Sequence, residues 1–466
     1  MSFVFYDTET TGIKTAFDQI LQFAAIRTDP DFLELERFEI RCRLQERVVA
    51  WPGALHVTGV SVAQLTDESL PSHYDMMCAI KSKLASWSPA IYIGYNSLQF
   101  DEHLLRSALW KSLHNPYLTN RAGNARTDAM RLAQALAHLR PGVLVLPLDA
   151  RGKATFKLDA VAPANGFAHT NAHDALADVE ATVHLCRIAA ERAPDVWSDF
   201  MRFAQKAAVL DFAESEQVFG LLEYYFGKPY VYVLTVIGRN PENSSELYAF
   251  DLRTDPEELR VLDDIELERR LTAKQRLVRR VKANGAPLLL TLDDTLDTAE
   301  GPALSAQECL RRAALVAKDT ELAARIVAAL ERGKPSKVES EYVEERIYDG
   351  FPSPVDEALA ESFHTSSWRE RHEIANRIAD ARLKHLALRL IFDESPGVLT
   401  EAERRFFREE VDGRLLSTEA GLPWCTWAAA AAECKTFLES LTGPAAVRMR
   451  EYLTYCEQRM GARRAD

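Results

Sequence analysis

Phe3-Val4-Phe5-Tyr6-Asp7-Thr8-Glu9-Thr10-Thr11-Gly12 opens the chain with an apolar run that ends in two carboxylates, two residues apart. The run is apolar enough to be a buried central strand. On a strand successive side chains alternate faces, so Asp7 and Glu9 point the same way. Like charges held side by side repel unless a cation lies between them, and a divalent ion is the usual partner for such a pair. The opening stretch therefore predicts a buried strand whose end forms part of a metal site.

A chain of 466 residues is too long for one compact core and predicts two to four domains. Apolar content of 47% and aromatic content of 9% are ordinary for a soluble globular protein. No run of about 18 apolar residues and no basic leader precedes the first strand, so a cytoplasmic protein with no membrane contact is expected. The 7 cysteines form no CxxC pair, which argues against a zinc site or a disulfide framework and for reduced thiols. A formal net charge of −13 speaks against generic nucleic-acid binding through overall charge. Handling a phosphate backbone would then require metal at the reaction centre and a local cationic strip.

Strands are expected at 3–6, 21–27, 38–43 and 91–95, with helices at about 75–87 and 174–192, the latter ending before Pro194. Three consecutive strands followed by strand and helix alternation predict a mixed sheet covered by helices. From Gly220 the texture becomes β-branched and aromatic, with strands at 230–237, 247–252 and 288–292 and a turn at 238–245. A polar stretch at 333–337 reads as a loop. Beyond Pro354 the mixture of Ala, Leu, Arg and Glu predicts helices at 355–391, 401–411 and 427–458.

Two divalent ions need more carboxylates than Asp7 and Glu9 provide. Asp101 stands where the fourth strand gives way to a helix, after Asn96-Ser97-Leu98-Gln99-Phe100. His173 and Asp178 lie at a helix start in Asn171-Ala172-His173-Asp174-Ala175-Leu176-Ala177-Asp178. Five residues turn a helix by roughly 140°, so His173 is expected at the N-terminal edge and Asp178 one turn inside.

These three motifs, in this order and in these local settings, resemble the DEDDh exonucleases of the ribonuclease-H-like fold. Further segments resemble the exodeoxyribonuclease I family within that group: Pro52-Gly53-Ala54, Thr58-Gly59, Gly94-Tyr95-Asn96, Leu139-Arg140-Pro141, Ala164-Asn165-Gly166, Asn240-Pro241-Glu242-Asn243, Tyr348-Asp349-Gly350-Phe351 and Pro396-Gly397. Thr8 and Thr10-Thr11-Gly12 look more like proofreading subunits. The resemblance implies an α/β catalytic domain at 1–195 with a ribonuclease-H-like mixed sheet and helices, an SH3-like β-rich domain at 196–345 and an all-helical domain at 346–466.

It also implies processive 3′→5′ hydrolysis of single-stranded DNA to 5′-mononucleotides in DNA repair and recombination. Two Mg²⁺ ions, or Mn²⁺ in their place, would sit roughly 4 Å apart. Asp7 would bridge them, Glu9 and Asp178 would complete one, and Asp101 would help hold the other. His173 would take the proton from the attacking water, a role suited to a group titrating near neutrality. Arg106, Tyr117 and Lys157 match positions that contact DNA, Arg126 is a further candidate, and Glu9 touches both metal and substrate.

Lys274, Arg276, Arg279, Arg280 and Lys282 form a basic strip without an intervening acid, and Arg279, Arg280 and Lys282 are expected to hold the strand. Tyr224, Tyr225, Phe226, Tyr230 and Tyr232 read as core packing, and Trp424 and Trp427 as helix anchors. The family likeness further implies a monomer that docks the acidic C-terminal tail of single-strand-binding protein. Two alternatives are an exonuclease acting on RNA or in proofreading, for which the two extra domains are unnecessary, and a non-catalytic DNA-binding scaffold, which has no physical reason to keep clustered carboxylates.

Overall fold

The computed structural model describes residues 1–168, 174–273, 276–298, 303–334 and 338–465. His173, Lys274 and the end of the 333–337 stretch lie outside the described residues. The first sheet contains β1 (Ser2–Thr10), β2 (Ile20–Thr28), β3 (Glu34–Arg41), β4 (Ala90–Gly94) and β5 (Ala125–Asp128), in the order β3-β2-β1-β4-β5. β1 runs antiparallel to β2 and parallel to β4, which makes the sheet mixed. The short strand β5 was not expected: Ala125-Arg126-Thr127-Asp128 is polar and pairs with only one neighbour, β4, so it carries no alternating pattern.

Alternation along β1 divides two cores. Phe3 and Phe5 face a cluster with Val179, Leu185 and Leu132, whereas Val4 and Tyr6 face Ile80, Leu84, Leu104 and Leu109. The first cluster is supplied by the helices Ala129–Leu139 and Ala175–Arg192, the second by His73–Ser86 and Asp101–Lys111. β4 pairs with β1 only as far as Phe5, so Asp7 to Thr10 project beyond the end of β4. That overhang creates the space for a site at the C-terminal ends of parallel strands.

Pro194 begins a new helix, Pro194–Arg202, because proline suits the first helical position. It packs Val196 and Phe200 into the first core, while the helix Lys206–Ser215 sends Val209 and Phe212 into the next. The second sheet is wholly antiparallel, with β6 (Phe219–Tyr225), β7 (Lys228–Asn240), β8 (Asn243–Asp251), β9 (Val278–Lys282) and β10 (Leu288–Leu290) in the order β10-β6-β7-β8-β9. The SH3-like expectation thus takes the form of a five-stranded sheet with helical insertions. β7 runs on to Asn240, so the turn expected over 238–245 is confined to 241–242. β9 is the basic strip itself, whose charges conceal its strand character.

Helices fill the remainder, ending in Trp427–Leu438 and Gly443–Ala465. They close back on the first domain: Tyr452 donates to the Ala50 carbonyl at 2.7 Å, and Arg47 bonds Asp393 at 2.7 Å. Arg389 and Arg414 both hold the buried Glu344, across the boundary expected at 345/346. Trp427 is buried, and Trp424 donates to the Arg414 carbonyl. All seven cysteines are free thiols. No described helix is long and apolar enough to cross a membrane.

Candidate active site

Asp7 and Glu9 lie on the β1 face covered by the helix Ala175–Arg192, whose first turn carries Asp178. Carboxylate oxygens of Asp7, Glu9 and Asp178 all fall within 4.8 Å of one another. Asp101 is not in that group. It is the first residue of the helix Asp101–Lys111, and Thr8, on the opposite face of β1, donates its hydroxyl to Asp101 Oδ1 at 2.5 Å. The N-cap position is held by Phe100, which makes no side-chain cap, and Asp101 is an acid in the first turn.

Electrostatics ties the four carboxylates together. Burial pushes Asp7 well above the usual carboxylate range, and Asp101, Asp178 and Glu9 add repulsion. Burial lifts Glu9 to about 9, with Asp178, Asp101 and Asp174 adding to it and Arg41 opposing. Burial lifts Asp101 to about 7, against the bond from Thr8. Such a cluster cannot be fully ionised at neutral pH without added positive charge. A hard divalent cation fits this set, because every donor is a carboxylate oxygen.

Several residues that sequence reasoning missed build this geometry. Asp128, at the end of β5, accepts from the backbone N–H groups of Asn96, Leu98 and Met130. It therefore fixes the turn that delivers Asp101; Asn96 in that turn has a positive φ of 61°. Asp174 caps the helix of Asp178 and is held by Arg41 at 2.6 Å and Gln22 at 3.2 Å. Lys111 is buried and donates to the carbonyls of Ala16 and Asp18, bracing the loop after β1, and burial drops its amine to about 7. Asp128 ends a short polar strand and Asp174 stands at a helix start, but nothing in sequence gives their partners.

The expected strand-contacting residues are less uniform than the sequence suggests. Arg106 and Arg126 are both ion-paired to the buried Glu102. The Arg106 guanidinium lies 5.1 Å from the centre of the Tyr117 ring, and that ring packs at 5.9 Å on Phe351, which is largely exposed. Lys157 is exposed at the start of the helix Leu158–Ala164. The pleat of β9 separates the basic strip. Arg279 packs its guanidinium 3.7 Å from the centre of the Tyr232 ring, whereas Arg280 turns the other way to Glu246 and Tyr248.

Among the described residues of the strip, Lys282 stands near enough to the first domain to act on His103. Burial and Arg106 push the His103 imidazole down, Glu102 opposes, and Arg126 and Lys282 push it down further. The turn after β9 also meets that domain, where the Asn284 carbonyl accepts from Arg126 at 3.5 Å and the Gly285 carbonyl from Arg131 at 2.6 Å. The aromatic group divides as well. Tyr232 is buried and Tyr224 packs on Phe156, but Tyr230 is exposed and Phe226, at a hairpin tip with φ 55°, is 94% exposed.

A second group with metal-ligating atoms, Cys78, His114 and His364, joins the first and last domains. Its two imidazole rings stack at 3.9 Å. His364 is already satisfied, with one ring nitrogen on the Leu113 carbonyl and the other on the Tyr74 hydroxyl. In-plane lone pairs of stacked rings do not converge on one ion, so this group is a packing contact.

Known proteins agree with this architecture from end to end. A family model described as Exonuclease matches residues 4–186, and one described as Exonuclease I C-terminal domain matches residues 341–458. Exodeoxyribonuclease I of Escherichia coli strain K12 is 26% identical over 432 residues, covering 88% of either chain. The crystal structure of E. coli exonuclease I in complex with a dA16 oligonucleotide matches 98% of this chain and 99% of its own, with a TM-score of 0.85 at 24% identity. A zinc-bound form of the E. coli enzyme with single-stranded DNA matches over the same shares, with a TM-score of 0.82 at 23% identity. The catalytic fold, the second sheet and the helical region occur here in one continuous likeness, and the chain is a nuclease homologous to exodeoxyribonuclease I.

Proposed function

We propose that this chain removes 5′-mononucleotides from the 3′ end of single-stranded DNA, processively and with two Mg²⁺ ions or Mn²⁺ in their place. The observation that carries the reading is the convergence of the Asp7, Glu9 and Asp178 oxygens, with Asp101 fixed beside them by Thr8. When bound, the ions supply charge neutralisation on the phosphate and activation of the attacking water. Asp7, Glu9, Asp178 and Asp101 hold them, and Glu9 also faces the terminal nucleotide. His173 accepts the proton of the attacking water, a role that rests on the Asn-Ala-His-Asp motif.

The strand runs along Arg106, Tyr117, Arg126 and Lys157, with Lys282 and the neighbouring Arg279 and Arg280 contributing positive charge from the second domain. Single-stranded DNA is favoured over RNA or a primer terminus because two further domains are packed around the catalytic one. The family likeness supports a monomer in the cytoplasm that acts in repair and recombination and docks the acidic tail of single-strand-binding protein.

The test is mononucleotide release from end-labelled single-stranded DNA, RNA and duplex, with Mg²⁺ or with chelator. Metal-dependent release from single-stranded DNA, lost in Asp7→Ala and strongly reduced in His173→Ala, is expected. An Asp7→Ala protein that is free of contaminating nuclease and still degrades the DNA sinks the proposal.

A further inference from the structure

Glu102 directly follows the candidate metal ligand Asp101 and is only 3% exposed. A buried carboxylate is costly unless its oxygens are fully bonded. Both oxygens accept from the Thr119 hydroxyl, at 2.7 and 3.0 Å, and Oε2 accepts from the Tyr6 hydroxyl at 3.3 Å. Oε1 also accepts from Arg106 at 2.8 Å and from Arg126. One carboxylate thus gathers a strand residue, a hydroxyl from the short 3-10 turn Leu118–Asn120 and two guanidiniums.

The charges do not balance within this cluster. Two guanidiniums share one carboxylate, and the Nε of each is buried without a hydrogen-bond partner. Arg106 is 8% exposed, and its other contacts are the Tyr348 hydroxyl at 3.3 Å and the face of Tyr117. An excess positive charge with unused N–H donors matches a second anion, and the guanidinium fork suits a phosphate. Holding both forks in advance lowers the ordering cost of binding.

We propose that Glu102 is a positioning residue: it aims Arg106 and Arg126 at the phosphates of the DNA strand as it enters the metal site, a role that rests on the single-strand reading above. It acts through the two arginines and touches neither substrate nor metal.

The experiment compares kcat and KM on single-stranded oligonucleotides for Glu102→Gln in the native background and in an Arg106→Gln/Arg126→Gln background, with Mn²⁺ affinity measured by electron paramagnetic resonance. In the native background kcat/KM is expected to fall about tenfold, mainly through KM. Mn²⁺ affinity stays within about twofold, the margin of an untouched ligand set. In the double-arginine background the same substitution has no further effect, an outcome that a purely structural carboxylate does not produce. An unchanged kcat/KM, or an equal loss in both backgrounds, overturns the proposal.

Arginine variants that bind DNA as tightly as the native chain overturn both this proposal and the assignment of those arginines, whereas loss of metal-dependent cleavage in Asp7→Ala still upholds the reading of the site. Should Glu102→Gln fail to fold, Thr119→Val and Tyr6→Phe remove donors to the same carboxylate without changing charge. Each is expected to raise KM about threefold, and an unchanged KM in both overturns the proposal.

Discussion

Thr8 donates its hydroxyl to Asp101 across the end of β1, joining two segments 93 residues apart at 2.5 Å. Because Thr8 points to the opposite face from Asp7 and Glu9, this bond brings a carboxylate from the other side of the sheet to the edge of the cluster. The first motif thus supplies two carboxylates and also the fastener for a third.

Replacing Thr8 by Val keeps the shape and removes that bond. Turnover on single-stranded DNA is expected to fall about tenfold, with little change in thermal midpoint, and Thr8→Ser is expected to restore most of it. Steady-state kinetics of the two variants side by side checks this. A Val variant with native turnover refutes it.

Gly12 ends the motif in a crowded place. A Cβ there would meet the Trp51 ring at 2.3 Å and the Asp18 carboxylate at 2.6 Å. Gly12→Ala is expected to destabilise the fold by about 1–3 kcal/mol and to displace the loop braced by Lys111. Denaturant unfolding measures the first effect and reduced turnover under folded conditions the second.

The basic strip makes a distinguishing case. Lys282→Gln is expected to weaken binding of a single-stranded oligonucleotide and to flatten its salt dependence by about 0.7 in logarithmic slope, the share of one phosphate contact. Arg280→Gln, whose charge is partly offset by Glu246, is expected to flatten it by less. Binding titrations from low to moderate salt decide between them, and equal slopes for both variants contradict the offset of Arg280 by Glu246.

The stacked imidazoles give a pH dependence with a definite sign. Burial holds His364 down at about 4 and His114 at about 2, between Tyr74, Cys78, Lys81, Glu361 and Arg371. Above the ordinary value near 6.5 both are neutral whether the chain is folded or not. Below it the unfolded chain takes up protons that the fold refuses, so stability falls as pH drops from about 6.5 towards 4. His114→Phe is expected to make that decline shallower by about 1.4 kcal/mol per pH unit. Urea unfolding at several pH values measures the slope, and an unchanged slope rules the assignment out.

Local chemistry made much of this protein legible in its sequence. An apolar strand ending in Asp7-x-Glu9, a helix start at Asp101 and another at Asp178 are short-range patterns, and strand alternation alone puts Asp7 and Glu9 on one face. The same reasoning located the β-rich middle and the helical end. It missed β5, β6 and β9; on β5 and β9 charged residues on short or edge strands carry no alternation to read, and it treated Arg279, Arg280 and Lys282 as one surface although the pleat sets Arg279 apart from the other two.

Tertiary structure decided what those residues touch. That Thr8 reaches Asp101, that Asp128 fixes the turn before it and that Glu102 binds both Arg106 and Arg126 depend on contacts between segments far apart in the chain. Residue type and spacing determine which face a side chain occupies. Only packing determines which buried charge finds which partner, and a buried charge must find one, because leaving it unpaired costs more than most folds can spare.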